Sequence, residues 1–125
     1  MKHIPDVRTY VAVDGGMSDN PRPVLYGSGY EAFLPADVGA PRSLHARLVG
    51  KHCESGDVLI FDALLPEKTT VGDILATPVT GAYGYSMASN YNMLTRPPVV
   101  FVGEGRARAV MRRESFEDLL RCDLG

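Results

Sequence analysis

Short apolar runs broken by glycine and proline set the pattern of this chain. Thr9 to Asp14 is rich in β-branched and aromatic residues and predicts a strand, closed by Asp14-Gly15-Gly16. Ser18-Asp19-Asn20-Pro21 carries a helix-start signal, which predicts a short helix over Arg22 to Tyr26 stopped by Gly27 and Gly29. Tyr30 to Leu34 predicts a further strand, and Pro35 to Pro41 a loop. Leu44 to Val49 alternates, with Leu44, Ala46 and Leu48 on one face and His45, Arg47 and Val49 on the other. Val58 to Leu65 is apolar enough for a buried strand, and Ile74 to Thr77 reads as another. Tyr83, Met87 and Tyr91 share helical spacing and predict a short helix or helical turn over Tyr83 to Asn92, broken by Arg96-Pro97-Pro98. Val99 to Val102 and Ala107 to Arg112 flank Gly103-Glu104-Gly105-Arg106 as a hairpin. Ser115-Phe116-Glu117-Asp118 resembles a capping box for a last helix through Leu120, with Asp118 in the usual Glu or Gln place.

These elements sum to a mainly β domain, a Greek-key-like barrel or sandwich of about seven or eight strands. It carries short helices, one near the C-terminus. The pattern does not alternate strand and helix, so a βαβ fold is not expected.

Length and composition narrow the class. One hundred and twenty-five residues predict a single domain, and 45% hydrophobic with 22% charged residues is ordinary for a globular one. A net charge of -2 with no basic stripe argues against nucleic acid or an anionic membrane as a partner. No apolar run is long enough to span a membrane, and the Met1-Lys2-His3-Ile4-Pro5-Asp6 start has no signal-peptide core. Cys53 and Cys122 lie in unlike contexts, which favours reduced thiols in a cytoplasmic protein over a disulfide.

Two stretches concentrate chemistry. Gly50-Lys51-His52-Cys53-Glu54-Ser55-Gly56-Asp57 sets a thiol, an imidazole and carboxylates in one glycine-bracketed turn. Cys53 is a candidate proton donor or acceptor, set against the plainer alternative of a structural cysteine at a strand end. Neighbours in an extended chain point to opposite sides, so His52 and Cys53 make a poor nucleophile–base pair. Glu54 is either an ammonium-binding carboxylate or a solvated turn residue. Lys51 reads as a solvated flank. Arg22 and Tyr26, four apart on one helix face, form a candidate carboxylate clamp or a packed surface pair. The second stretch runs from Gly81 to Asn92. In it Tyr83, between Gly81 and Gly84, suits a phosphate or ring contact, or a core corner. The three histidines and two cysteines lack metal-ligand spacing, and there is no phosphate-loop or dinucleotide fingerprint.

Four motifs in order carry a resemblance across nearly the whole chain. They are Val13-Asp14-Gly15-Gly16-Met17-Ser18-Asp19-Asn20, Arg22-Pro23-Val24-Leu25-Tyr26, His52-Cys53-Glu54-Ser55-Gly56-Asp57, and Gly81 to Asn92. The set resembles the C-terminal β-domain of the diaminopimelate decarboxylases. These belong to the pyridoxal-phosphate-dependent alanine racemase and ornithine decarboxylase group. The Cys53-Glu54 pair favours this branch, because the ornithine branch carries Cys-Asp.

The resemblance implies a lyase that converts meso-2,6-diaminopimelate to L-lysine and carbon dioxide in lysine biosynthesis. It implies that Cys53 protonates the α-carbon and that Glu54 binds the distal ammonium, both reaching into the partner's site of a homodimer. It further implies that Arg22 and Tyr26 bind the distal carboxylate and that Tyr83 contacts substrate and cofactor. The family's cofactor lysine and phosphate loop belong to an N-terminal (β/α) barrel. This chain has only Lys2, Lys51 and Lys68, none in a matching context, and a barrel needs roughly 200 residues or more. Residues 1–125 are therefore expected to be a single C-terminal β-domain, inactive without its barrel. The alternatives are a stand-alone regulatory or dimerisation module, and an independent thiol enzyme built on Cys53.

Overall fold

A computed structural model describes all 125 residues. Six strands and three short helices follow one another: β1 (Lys2–Ile4), β2 (Arg8–Ala12), α1 (Arg22–Tyr26), β3 (Leu44–Val49), β4 (Val58–Leu65), α2 (Gly81–Met87), β5 (Val99–Gly103), β6 (Arg106–Met111) and α3 (Phe116–Leu120). Single 3₁₀ turns lie at Pro35–Asp37 and Tyr91–Met93. The strands form two sheets. One has four strands in the order β1-β2-β3-β4, and the other is the β5-β6 hairpin.

Pairing in the larger sheet is antiparallel except between β2 and β3, which run parallel. A parallel pair needs a crossover, and the residues from Val13 to Ser43, α1 included, supply it. The core lies along the centre of this sheet. Val11 pairs with Leu48, and Leu48 with Ile60. With Ala32, Ala46, Ala63 and Leu65 they form one buried cluster. The alternation expected of β3 holds: Ala46 and Leu48 are buried, while His45 is exposed. Leu48 is 2% exposed, so truncating it to alanine costs about 2–5 kcal/mol.

The architecture corrects several expectations. Neither sheet closes into a barrel, and the strands number six. The strands expected at Tyr30 to Leu34 and Ile74 to Thr77 reduce to one bridge between Phe33 and Ala76, held by two backbone bonds of 3.1 and 2.9 Å. Each run is apolar, but Pro35 and Pro78 end them at once, and a proline cannot donate to a ladder. β1 carries no periodic signal in its three residues and exists because it pairs with β2. Helix α1 follows the helix-start stretch with Pro21 at its N-cap and no side-chain cap. Helix α2 stops at Met87, with Ala88 extended, so Tyr91 stands in a separate turn rather than on the same helix. The capping box of α3 is formed as expected, with the Ser115 N–H donating to Asp118 Oδ2 at 2.8 Å.

Only 17 of 125 residues are buried, while Phe61, Val71, Ile74, Val79, Phe101 and Val102 are more than half exposed. These side chains are apolar surface that the fold of this chain leaves uncovered. No helix is long and apolar enough to cross a membrane.

Candidate functional site

The connection from β3 to β4 is the turn that holds Cys53 and Glu54. Its shape comes from Asp57, which is 3% exposed. Asp57 Oδ2 accepts the His52 N–H at 2.8 Å, and Oδ1 accepts the Met17 N–H at 2.7 Å. Backbone bonds from Gly50 to Asp57 and from Lys51 to Gly15, 2.9 and 3.1 Å, close the two loops onto each other. Gly50 is required here, because a Cβ at that position would run into the Asp57 carboxylate. A Cβ at Gly16 would strike the His52 ring. The sequence signal for Asp57 was its place at the end of the motif, but nothing in the spacing marked it as the residue that shapes the turn.

His52 and Cys53 sit in a bend of the turn and differ in burial. His52 is buried and Cys53 exposed. The imidazole meets Ser18 Oγ at 2.9 Å through Nε2 and Asn92 Nδ2 at 3.4 Å through Nδ1. The Asn92 amide nitrogen only donates, so Nδ1 accepts and Nε2–H donates to Ser18. Ser18, the first residue of the helix-start stretch, is engaged by this histidine and caps no helix. Glu54 is exposed and accepts the Tyr91 hydroxyl through Oε1 at 2.7 Å.

Arg22, Tyr26 and Tyr83 gather elsewhere. The Arg22 guanidinium lies 5.8 Å from the Tyr26 ring centroid, as the four-residue spacing on α1 dictates. Arg22 and Tyr83 line one open pocket of about 620 Å³ together with Tyr30, Glu31 and Val79. Tyr83 is 63% exposed, and beside it the backbones of Gly81 and Gly84 face open space. Cys53 and Glu54 do not line that pocket. The five candidate residues thus fall into two groups that share no pocket: half-buried Arg22 with exposed Tyr26 and Tyr83, and the exposed Cys53 with Glu54. A larger cavity of about 980 Å³, lined by Val11, Val13, Leu59, Ile74 and Tyr85 among others, contains none of the five.

Lys51 is ion-paired with Asp19 at 3.3 Å, and Lys68 with Asp37. Both thiols are free. No group of three or more histidine, cysteine or acidic side chains is clustered to hold a metal.

Comparison with known proteins gives this arrangement a family. Residues 1–81 match the model of the pyridoxal-dependent decarboxylase C-terminal sheet domain. The chain is 54% identical over 123 residues to a diaminopimelate decarboxylase of Bacillus subtilis, covering 98% of this chain and 28% of that protein. It is 59% identical over 117 residues to one of Actinosynnema pretiosum, covering 94% and 26%. Among solved structures, a diaminopimelate decarboxylase from M. jannaschii in complex with L-lysine superposes with a TM-score of 0.88 at 35% identity, covering 99% of this chain and 28% of that one. The chain spans about a quarter of the length of the relatives it matches. The two-sheet architecture and the motif-bearing loops both lie within that shared quarter, and this chain belongs to the C-terminal sheet domain family of the pyridoxal-dependent decarboxylases.

Proposed function

We propose that this chain is the C-terminal domain of a diaminopimelate decarboxylase, the lyase that converts meso-2,6-diaminopimelate to L-lysine and carbon dioxide. The observation that carries the proposal is the presence of two chemically complementary groups on one domain, half-buried Arg22 with Tyr26 and Tyr83, and exposed Cys53 with Glu54. A dicarboxylic diamine needs a cation for its distal carboxylate, an anion for its distal ammonium and a proton for the carbon that loses carbon dioxide. Arg22, with Tyr26 beside it, supplies the first through two parallel hydrogen bonds. Glu54 supplies the second. The Cys53 thiol supplies the third: its proton passes from Sγ to the α-carbon, leaving a thiolate.

Pyridoxal phosphate, when bound, is the electron sink for the carbanion left by carbon dioxide. This chain fits such a group on one side only. Tyr83 offers a hydroxyl and a ring beside open glycine backbone. Lys51 and Lys68 are engaged by acidic partners, so a Schiff-base lysine from a barrel domain elsewhere in the longer polypeptide suits the reading. The separation of Cys53 and Glu54 from the Arg22–Tyr83 pocket supports a homodimer in which each sheet domain serves two sites: one group acts within its own subunit and the other across the interface. The exposed apolar side chains supply surface for both the barrel and the second subunit. Free, exposed thiols suit a cytoplasmic setting.

The test is carbon dioxide release from meso-diaminopimelate with added pyridoxal phosphate. The chain is assayed alone and then mixed with a separately produced barrel domain. Activity confined to the mixture supports the division of the site. Activity from the chain alone, or none in a mixture whose components form a complex, overturns it.

A further inference from the structure

Tyr91 stands outside the roles assigned so far, yet its hydroxyl donates to the Glu54 carboxylate at 2.7 Å. It is anchored on both sides. Before it, Asn90 Nδ2 donates to Glu114 Oε2 at 2.6 Å and to the Leu94 carbonyl at 3.0 Å. Glu114 is itself held by Arg96. Also before it, the Ser89 N–H donates to the Ser18 carbonyl at 2.9 Å, and after it Asn92 Nδ2 donates to the buried His52 ring. The Tyr91 ring meets His52 edge-on, with centroids 5.4 Å apart. Asn92 and Met93 both take left-handed backbone conformations, φ 55° and 57°, which turn the chain back after Tyr91. A non-glycine residue adopts that region only where surrounding contacts enforce it.

We propose that Tyr91 is a positioning residue for substrate recognition: its hydroxyl fixes one carboxylate oxygen of Glu54 and leaves the other free for a substrate ammonium group. This rests on the role proposed for Glu54. An exposed glutamate on a loop samples several rotamers, and each must be given up when it binds a cation. The anchored phenol removes that loss beforehand. The acidity of the phenol agrees with the contact: Glu54 accepting its proton raises Tyr91 above the ordinary tyrosine value.

The test uses the full-length decarboxylase carrying this chain, with Glu54→Gln, Tyr91→Phe and the double variant. Tyr91→Phe keeps the ring against His52 and removes only the hydroxyl. It is expected to raise the KM for meso-diaminopimelate about tenfold, with a smaller fall in kcat. Glu54→Gln is expected to raise KM further, and adding Tyr91→Phe to it to change nothing more. Ultraviolet titration gives a second readout: the high-pH phenol missing from Tyr91→Phe should shift back toward the ordinary range in Glu54→Gln. If Glu54→Gln raises KM and Tyr91→Phe does not, or the two effects add, the positioning role is wrong while the Glu54 role stands. If Glu54→Gln leaves KM unchanged, the Glu54 role fails and the positioning role with it.

Discussion

The carboxylate of Asp57 accepts the backbone N–H of His52 at 2.8 Å and thereby closes the turn on which Cys53 and Glu54 stand. Its other oxygen holds Met17, so one buried side chain ties the β3–β4 turn to the loop that follows β2. The presentation of the thiol and carboxylate therefore depends on a buried neighbour whose own N–H also donates to the Glu54 carbonyl at 3.1 Å.

Replacing Asp57 with asparagine keeps one acceptor and turns the other position into a donor facing an N–H. Hydrogen bonds to a charged acceptor contribute about 1.5–3 kcal/mol each, so Asp57→Asn is expected to destabilise by roughly 2–4 kcal/mol. Chemical unfolding of both proteins measures it. A loss below half of that range would mean that the turn is held by its backbone bonds alone.

Gly50 and Gly56 bracket the same turn but differ in what surrounds them. A methyl at Gly50 meets the Asp57 carboxylate, whereas one at Gly56 meets open space. Gly50→Ala is expected to destabilise by about 1–3 kcal/mol. Gly56→Ala should fall within about 0.5 kcal/mol of the parent. Thermal melts of the two variants side by side decide the point, and equal effects would contradict the close approach.

Glu114 is depressed to about 2, chiefly because the Arg96 side chain donates to it, with the Arg96 backbone N–H and Asn90 adding to the effect. Asp118 is lowered as well, first by Arg112 and then by the Ser115 backbone N–H. A carboxylate lowered in the fold stabilises fully above its unfolded value, near 4.5 for Glu114, and that stabilisation is lost as pH falls through about 2. Stability should therefore decline on acidification across that window. Glu114→Gln should flatten the decline, which urea midpoints at a series of pH values will reveal.

Cys53 and Arg22 should separate in kinetics. On the roles proposed above, loss of the proton donor lowers turnover, so in the full-length protein Cys53→Ala is expected to cut kcat by roughly 10²–10⁴-fold. Arg22→Lys retains the charge but loses the bidentate fork, so its effect should fall mainly on the KM for meso-diaminopimelate. The opposite pattern would exchange their roles.

The β5–β6 hairpin pairs with no third strand, and Phe101 and Val102 are 61% and 78% exposed. Unpaired edges template further pairing. The 125-residue chain alone is expected to self-associate at micromolar concentrations, and a monodisperse monomer in light scattering would refute this.

The elements legible in the sequence are those whose cause is local. Helix α1, strands β3 and β4 and the hairpin follow from alternation, apolar runs and glycine turns. The Ser115–Asp118 cap follows from spacing alone. The motifs that carry the five candidate residues are contiguous in the sequence and chemically explicit, and the roles proposed for those residues rest on them. What was not legible depended on partners far along the chain. Tyr30 to Leu34 and Ile74 to Thr77 have strand composition but only a bridge's worth of partner. Ser18 has the composition of a helix cap, yet a histidine thirty-four residues away takes it. Tyr91 fits a helical spacing, yet two left-handed residues and the Glu114 network pull it out to meet Glu54. Periodicity and side-chain chemistry, which act over a turn or a strand, were determined by the sequence itself. Which loops close on which, and so which buried groups hold Cys53 and Glu54 outward, was decided only by the tertiary structure. The reason is that hydrogen bonds such as Asp57 to Met17 span forty residues and leave no periodic trace.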